Sequence, residues 1–311
     1  VMPKLSSIAL FTSTILLFIP LSSPSLGANL TLPDGSKCEG DITNGALNGQ
    51  ATCQFANGDR YEGTFVNGEK QGQGKYTFAD GGYFEGVFEK GEMGSKGIRA
   101  YPNGDRYEGE FVGGQPQGQG IYITADSLRY EGEFVAGQPM GKGRFTYANG
   151  DSCAGTVVQG ELSGQGNCEY STGDKYEGPL KSGKPDGKGV FRFADGGQYE
   201  GEFQDGEFSG QGTRTFANGN KFTGEFKLGV PSGKGQFSFA DGSGYQGTVQ
   251  DGQPTGEGIY TFANGNRYQG QFDAGKFQGQ GAFIFANGDR CQGQFLSLIH
   301  ISEPTRLRRI S

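Results

Sequence analysis

The sequence predicts an all-β chain, an elongated single-layer antiparallel sheet of stacked 23-residue β-hairpins. Three observations carry this expectation. A pattern opening on Tyr, Phe or Cys restarts every 23 residues, at Cys38, Tyr61, Phe84, Tyr107, Tyr130, Cys153, Tyr176, Tyr199, Phe222, Tyr245, Tyr268 and Cys291. A fixed period of this length marks an array whose units stack on their neighbours. The 60 glycines fall at repeated places in the unit, so they are structural punctuation and not a disordered tract. Within each segment polarity alternates with a period of two, the period of a strand.

Numbering each unit from its opening residue places the elements. Position 3 is Gly in all eleven complete units, and position 5 is Phe except at Ile42, Val157, Leu180 and Val249. Position 8 is always Gly, positions 12 and 14 are Gly except for Ser95 and Ala51, and positions 16 and 18 are mostly aromatic. Positions 1, 3, 5, 14, 16 and 18 share one face of the sheet, and the polar positions 2, 4, 13, 15 and 17 share the other. Asn-Gly pairs such as Asn57-Gly58 and Asn149-Gly150 mark turns that want positive φ, and the glycine at position 8 opens the other connection. Glycines at 3 and 14 leave room for rings to lie across the backbone. Aromatic pairs contribute about 0.5–1.5 kcal/mol each beyond area burial, so a ring ladder replaces the thick core that a single layer lacks. If position 1 faces 16 across a hairpin, position 4 faces 13, pairing Glu133 with Lys142 and Glu225 with Lys234.

The ends fall outside this pattern. Residues 1–28 read as a signal peptide: Lys4, an apolar run over 8–19, then small residues before Ala28. An uncleaved N-terminal anchor is the alternative. Residues 29–37 form an N-terminal half-repeat or cap, 38–290 the eleven repeats, and 291–295 the start of a truncated twelfth. Residues 296–311 share nothing with the repeat and resemble translated sequencing-adapter sequence, a non-native tail. A basic native tail is the alternative.

Composition excludes several functions. The single histidine, His300, lies in that tail, which removes His-based general-base, triad and zinc chemistry from the array. Without both ends the array has 23 basic and 33 acidic residues, about −10, which disfavours nucleic acid and anionic membranes. Every unit carries much the same carboxylates and none stands out as catalytic, so the chain is expected not to be an enzyme and to need no cofactor or metal. G-x-G segments such as 72–74 precede strands, not helices, and read as structural. Arg99 and Arg214 replace the ring at position 16 five units apart and read as traces of a duplicated block.

Cys38 and Cys53, and again Cys153 and Cys168, stand at positions 1 and 16 of one unit. The register brings each pair to bridging distance, so two local disulfides are expected, fitting a secreted or periplasmic chain. Reduced cysteines acting as small core hydrophobes are the alternative.

The unit Y-E-G-x-F-x-x-G-x-x-x-G-x-G-x-[YF]-x-[FY]-A-[ND]-G resembles the MORN repeat over residues 30–295. That resemblance implies a stacked-hairpin sheet, scaffolding and protein–protein association, often with itself, and phospholipid binding in some members. The negative charge disfavours phospholipid here. The expected function is a non-catalytic repeat scaffold in an extracytoplasmic compartment, binding a protein partner or a second copy. Tyr107, Phe111, Tyr122, Tyr130, Phe134 and Phe145 are the candidate contact residues of the aromatic face. The other readings are a lipid- or glycan-binding module, or an accessory array for a catalytic part beyond residue 295.

Overall fold

Two kinds of turn alternate along the chain in the computed structural model, which describes residues 27–296. Inside each repeat, positions 7 and 8 form a two-residue turn. Val135 pairs with Gln138 around it, and Ala136 and Gly137 both take positive φ, 49° and 81°. This is the turn whose twist matches that of the flanking strands. The second turn, at Ala-Asn-Gly-Asp, needs positive φ at the glycine alone, 90° at Gly150. There Asn149 Oδ1 accepts the Asp151 amide at 3.0 Å, and the Tyr147 amide donates to the Asp151 carbonyl at 2.9 Å. Of each Asn-Gly pair in this second turn, then, only the glycine enters the left-handed region, whereas at Asn44-Gly45 and Asn67-Gly68, in the first turn, both residues do.

The signal-peptide and adapter-like segments lie outside the described residues. The described chain divides into two compact units, one of residues up to 79 with 88–92, the other of 80–87 with residues from 93 onward. Both are built alike, and no helix occurs among the described residues. In the first, Ala28–Thr31, Lys37–Thr43, Ala46–Gln54, Arg60–Val66 and Glu69–Thr77 pair in sequence order, all antiparallel. In the second, the same meander runs from Arg106–Val112 and Gln115–Ile123 to Lys276–Ile284 and Arg290–Phe295. The half-repeat is a strand: Ala28–Thr31 pairs with the strand that opens the first full unit, Leu30 opposite Cys38.

Register is as expected near the open end of each hairpin and shifts at its middle. Tyr130 faces Phe145 and Gly132 faces Gly143, positions 1 with 16 and 3 with 14. The register then jumps, and Phe134 faces Pro139. The bulge is accommodated by the glycine at position 12, at φ 74° in Gly141. The expected pairs Glu133–Lys142 and Glu225–Lys234 therefore do not form. Glu133 instead faces Gln119 of the preceding hairpin, and Lys142 faces Thr156 of the following one. Positions 4 and 13 do meet, but between hairpins: Lys96 lies 3.8 Å from Glu110. That pair is exposed and worth little.

The core sits on one face. The ring at position 1 lies over the glycines at 3 and 14, as the packing argument requires. A Cβ on Gly201 would lie 2.5 Å from the Tyr199 hydroxyl, and one on Gly212 at the same distance. Where position 5 is Phe in its own and the next repeat, such a ring is clasped by both. Tyr107 meets Phe111 edge-on at 5.0 Å and Phe134 of the next repeat at 4.8 Å. Where position 10 is Phe it stacks on the same tyrosine, at 3.9 Å for Phe208 on Tyr199.

Candidate interaction surface

The aromatic residues fall into two sets. Positions 1 and 5 are core: Tyr107 is 0%, Phe111 3%, Tyr130 1% and Phe134 2% exposed. Phe145, at position 16, is buried as well. Five of the six candidate contact residues are therefore covered by the chain's own rings, and only Tyr122 stays half-buried. The reason is the clasp just described. The Tyr107 ring, lying over two glycines, is closed over by Phe111 of its own repeat and Phe134 of the next, without a partner. What reaches solvent is a second row at positions 16 and 18. Phe191 lies 5.6 Å from Tyr170 and 4.7 Å from Phe193, and Phe283 lies 5.5 Å from Phe262 and 5.0 Å from Phe285. These half-buried rings form a ladder in which Tyr76, Phe191, Tyr260 and Phe283 each sit between the position-18 rings of their own and the preceding repeat.

Tyrosine at position 1 does more than fill space. In the repeats beginning at Tyr107 and Tyr130 the bulge leaves position 4 without a residue opposite it in the hairpin, and the tyrosine hydroxyl donates to that residue's carbonyl. Tyr107 reaches Glu110 at 2.9 Å, Tyr130 reaches Glu133 at 3.0 Å, and Tyr176 reaches Pro179 at 2.7 Å. Burial pushes Tyr107, Tyr130 and Tyr176 up to about 12. Sequence reasoning missed this role; the preference for Tyr over Phe at an apolar core position was the available signal.

A second ladder ties the turns together. Position 22 accepts the backbone N–H of position 19 one repeat on: Asp59 from Ala79 at 2.8 Å, Asp151 from Ser171 at 2.8 Å, and Asn220 from Ala240 at 3.0 Å. Asp59 also accepts the Tyr76 hydroxyl at 2.6 Å, the main reason its carboxyl is held below the usual range. Asp151 is held low chiefly by the Ser171 amide.

Cations also enter the ring ladder, two of them at positions where other repeats place a ring. The Arg214 guanidinium lies 3.3 Å from the centroid of Phe193 and 5.3 Å from that of Phe216. It stands where other repeats place a ring, and its buried Nη1 makes no hydrogen bond. Burial lowers its pKa, with Asp195 and Asp174 acting against that. Arg99 lies 5.5 Å from Tyr101. In the first unit, the Lys70 ammonium lies 4.7 Å from the Tyr76 ring, and burial lowers its pKa.

Both expected disulfides are present, Cys38–Cys53 and Cys153–Cys168, at Cα separations of 4.0 Å. They are compatible with an oxidising compartment. Cys291 is a half-buried free thiol opposite Phe283. No helix of the described residues is long and apolar enough to cross a membrane. Among the described residues no group of three or more His, Cys, Asp or Glu gathers in a metal-ligand arrangement.

Together these features define a β-hairpin repeat protein, with a buried ring core beside a half-buried ring ladder. Matches to the MORN repeat cover residues 38–60, 61–83, 84–106, 107–129, 130–152, 153–175, 176–198, 199–221, 222–244, 245–267 and 268–290, and the chain belongs to the MORN-repeat family. A search of curated proteins finds no match. Among solved structures the chain is similar to the SAS-4 (dCPAP) TCP domain of Drosophila melanogaster, in complex with a proline-rich motif of Ana2 (dSTIL). The identity is 16% over 50% of this chain and 85% of that one, with a TM-score of 0.32. It is also similar to the TCP10 domain of Danio rerio CPAP in complex with a STIL peptide, at 13% identity over 86% and 99% of the two chains and a TM-score of 0.31. A streptogramin B lyase matches at 14% identity over 88% and 87%, with a TM-score of 0.15.

Proposed function

We propose that this MORN array is a non-catalytic scaffold that associates with protein, including a second copy of itself, through the half-buried ring ladder. We place it in an extracytoplasmic compartment. The observation that carries the reading is the division of the rings. Positions 1 and 5 are closed over by the chain, whereas Tyr101, Tyr122, Phe216, Phe239 and Phe262 remain half-buried along one face. An apolar row on one side of a single layer is stabilised by cover, and an isologous pairing covers two such rows at once. The two disulfides and the signal-like residues 1–28 support the compartment.

The test combines size-exclusion chromatography with light scattering. The intact chain is expected to run as a dimer, and Phe216→Ser/Phe239→Ser/Phe262→Ser as a monomer with unchanged far-UV circular dichroism. A folded monomer in both cases would remove self-association. Secretion of the chain carrying residues 1–28, and retention of the chain lacking them, tests the compartment.

A further inference from the structure

The ring ladder has an open rung. Elsewhere a position-16 side chain fills the space between two position-18 rings: Tyr260 lies 6.2 Å from Phe239 and 4.9 Å from Phe262. Arg214 fills the same space between Phe193 and Phe216 with a guanidinium. In the repeat beginning at Cys153, position 16 is Cys168, drawn down to Cys153 by the disulfide. Tyr147 and Tyr170 then border a slot of about 500 Å³ that Leu128 and Cys153 also line. Asp126 and Asp151 line the same slot.

The charge of the slot selects its occupant. Asp151 has its oxygens anchored by the Ser171 amide at 2.8 Å and the Asn149 side chain at 2.8 Å, which holds the carboxylate ionised. It lies close enough to both tyrosines to raise their pKa values, behind the larger effect of burial. Two aromatic rings and two carboxylates favour a flat cation, and a guanidinium stacks on aromatic faces better than an ammonium does. The chain supplies its own precedent in Arg214. The slot at the other disulfide differs. Leu30, Leu32, Phe55, Glu69 and Lys70 line about 370 Å³ there, so that slot already holds a cation of its own in the Lys70 ammonium.

We propose that the slot between Tyr147 and Tyr170 receives an arginine side chain of a protein partner, as Arg214 occupies the equivalent rung within the chain. The proposal rests on the ladder being a protein-contact surface, but its test does not depend on oligomeric mass. Failure of one is therefore distinguishable from failure of the other.

The test is a titration of the intact chain with acetyl-Gly-Arg-Gly-amide, following the ring resonances of Tyr147 and Tyr170 by NMR. Peptides with citrulline, lysine or phenylalanine in place of arginine serve as comparisons. Saturable shifts are expected for the arginine peptide, with citrulline at least about fivefold weaker and affinity falling as salt rises. Asp151→Asn is expected to weaken binding several-fold. It keeps the turn bond, because Asn220 and Asn266 make the same bond to the following repeat. Cys153→Tyr/Cys168→Tyr rebuilds the pair seen as Tyr107 and Tyr122 and fills the rung, so it should stay folded and lose the shifts. Equal affinity for arginine and citrulline, tighter binding of the phenylalanine peptide, no saturable shift, or full binding by the filled-rung variant would overturn the proposal.

Discussion

Replacing Tyr107 with Phe isolates the contribution of the hydroxyl that bonds at the bulge. The ring would remain over Gly109 and Gly120, clasped by Phe111 and Phe134. The 2.9 Å bond from the Tyr107 hydroxyl to the Glu110 carbonyl is lost, together with a lesser interaction with the Gln117 backbone. A net hydrogen bond is worth about 0.5–1.5 kcal/mol, and leaving a buried acceptor unsatisfied costs about 1–3 kcal/mol. The Glu110 carbonyl is part-buried, so a loss of about 1–1.5 kcal/mol is expected. The chain already contains the reverse experiment. Phe222 takes the same position without a hydroxyl, its ring edge close to Gly224 and Gly235. Phe222→Tyr would reach the Glu225 carbonyl and should gain about 0.5–1 kcal/mol. Urea unfolding followed by circular dichroism reads both as shifts in midpoint at constant slope. A neutral or stabilising Tyr107→Phe, together with a destabilising Phe222→Tyr, would refute the role given to the hydroxyl.

Other outcomes follow from the same geometry. Because burial raises the folded-state pKa of Tyr61, Tyr107, Tyr130, Tyr176, Tyr199 and Tyr268 to about 12, their stabilisation is complete below the unfolded value of about 10 and is lost as pH rises through 12. Alkaline unfolding should therefore begin above about pH 10 and coincide with tyrosinate absorbance; ionisation of all tyrosines before any unfolding would contradict it. The carboxyls of Asp59, Asp105 and Asp151 are depressed, so their contribution is present above about pH 4 and fades as pH falls through the folded values. An acid titration should show that limb, and Asp59→Asn should flatten it. Leu228 holds φ 49° while 77% exposed; Leu228→Asn should stabilise by about 0.5–1 kcal/mol in urea unfolding, since asparagine tolerates the left-handed region. Removing the Cys153–Cys168 bridge as a double alanine variant opens a link between residues 15 apart and should cost about 2–4 kcal/mol, read in the same unfolding assay. A loss below about 0.5 kcal/mol would show the bridge to be dispensable.

Much of the fold was legible because its causes are local and periodic. The strand period, the facing of positions 1 and 16, the glycines beneath the rings and both disulfides follow from side-chain alternation and spacing. The bulge was not legible. The glycine at position 12 reads like its neighbour at 14, yet one serves a left-handed φ, as at Gly141, and the other a ring's close approach, as at Gly143. That two-residue slip moved Lys142 away from Glu133 and created the carbonyl that Tyr130 satisfies. The candidate contact residues were misplaced for a related reason. Composition marks a ring as apolar but does not say whether the next repeat's ring will cover it, and Phe134 covers Tyr107 whereas nothing comparable closes over Tyr147, 38% exposed. Arg214, standing between Phe193 and Phe216 where a ring would, marks what the rung between Tyr147 and Tyr170 lacks.

Solution mass tests the central claim, that the ring ladder is the association surface. Light scattering on the intact chain and on Phe216→Ser/Phe239→Ser/Phe262→Ser should give a dimer for the first and a folded monomer for the second. Equal masses for the two folded proteins would contradict it.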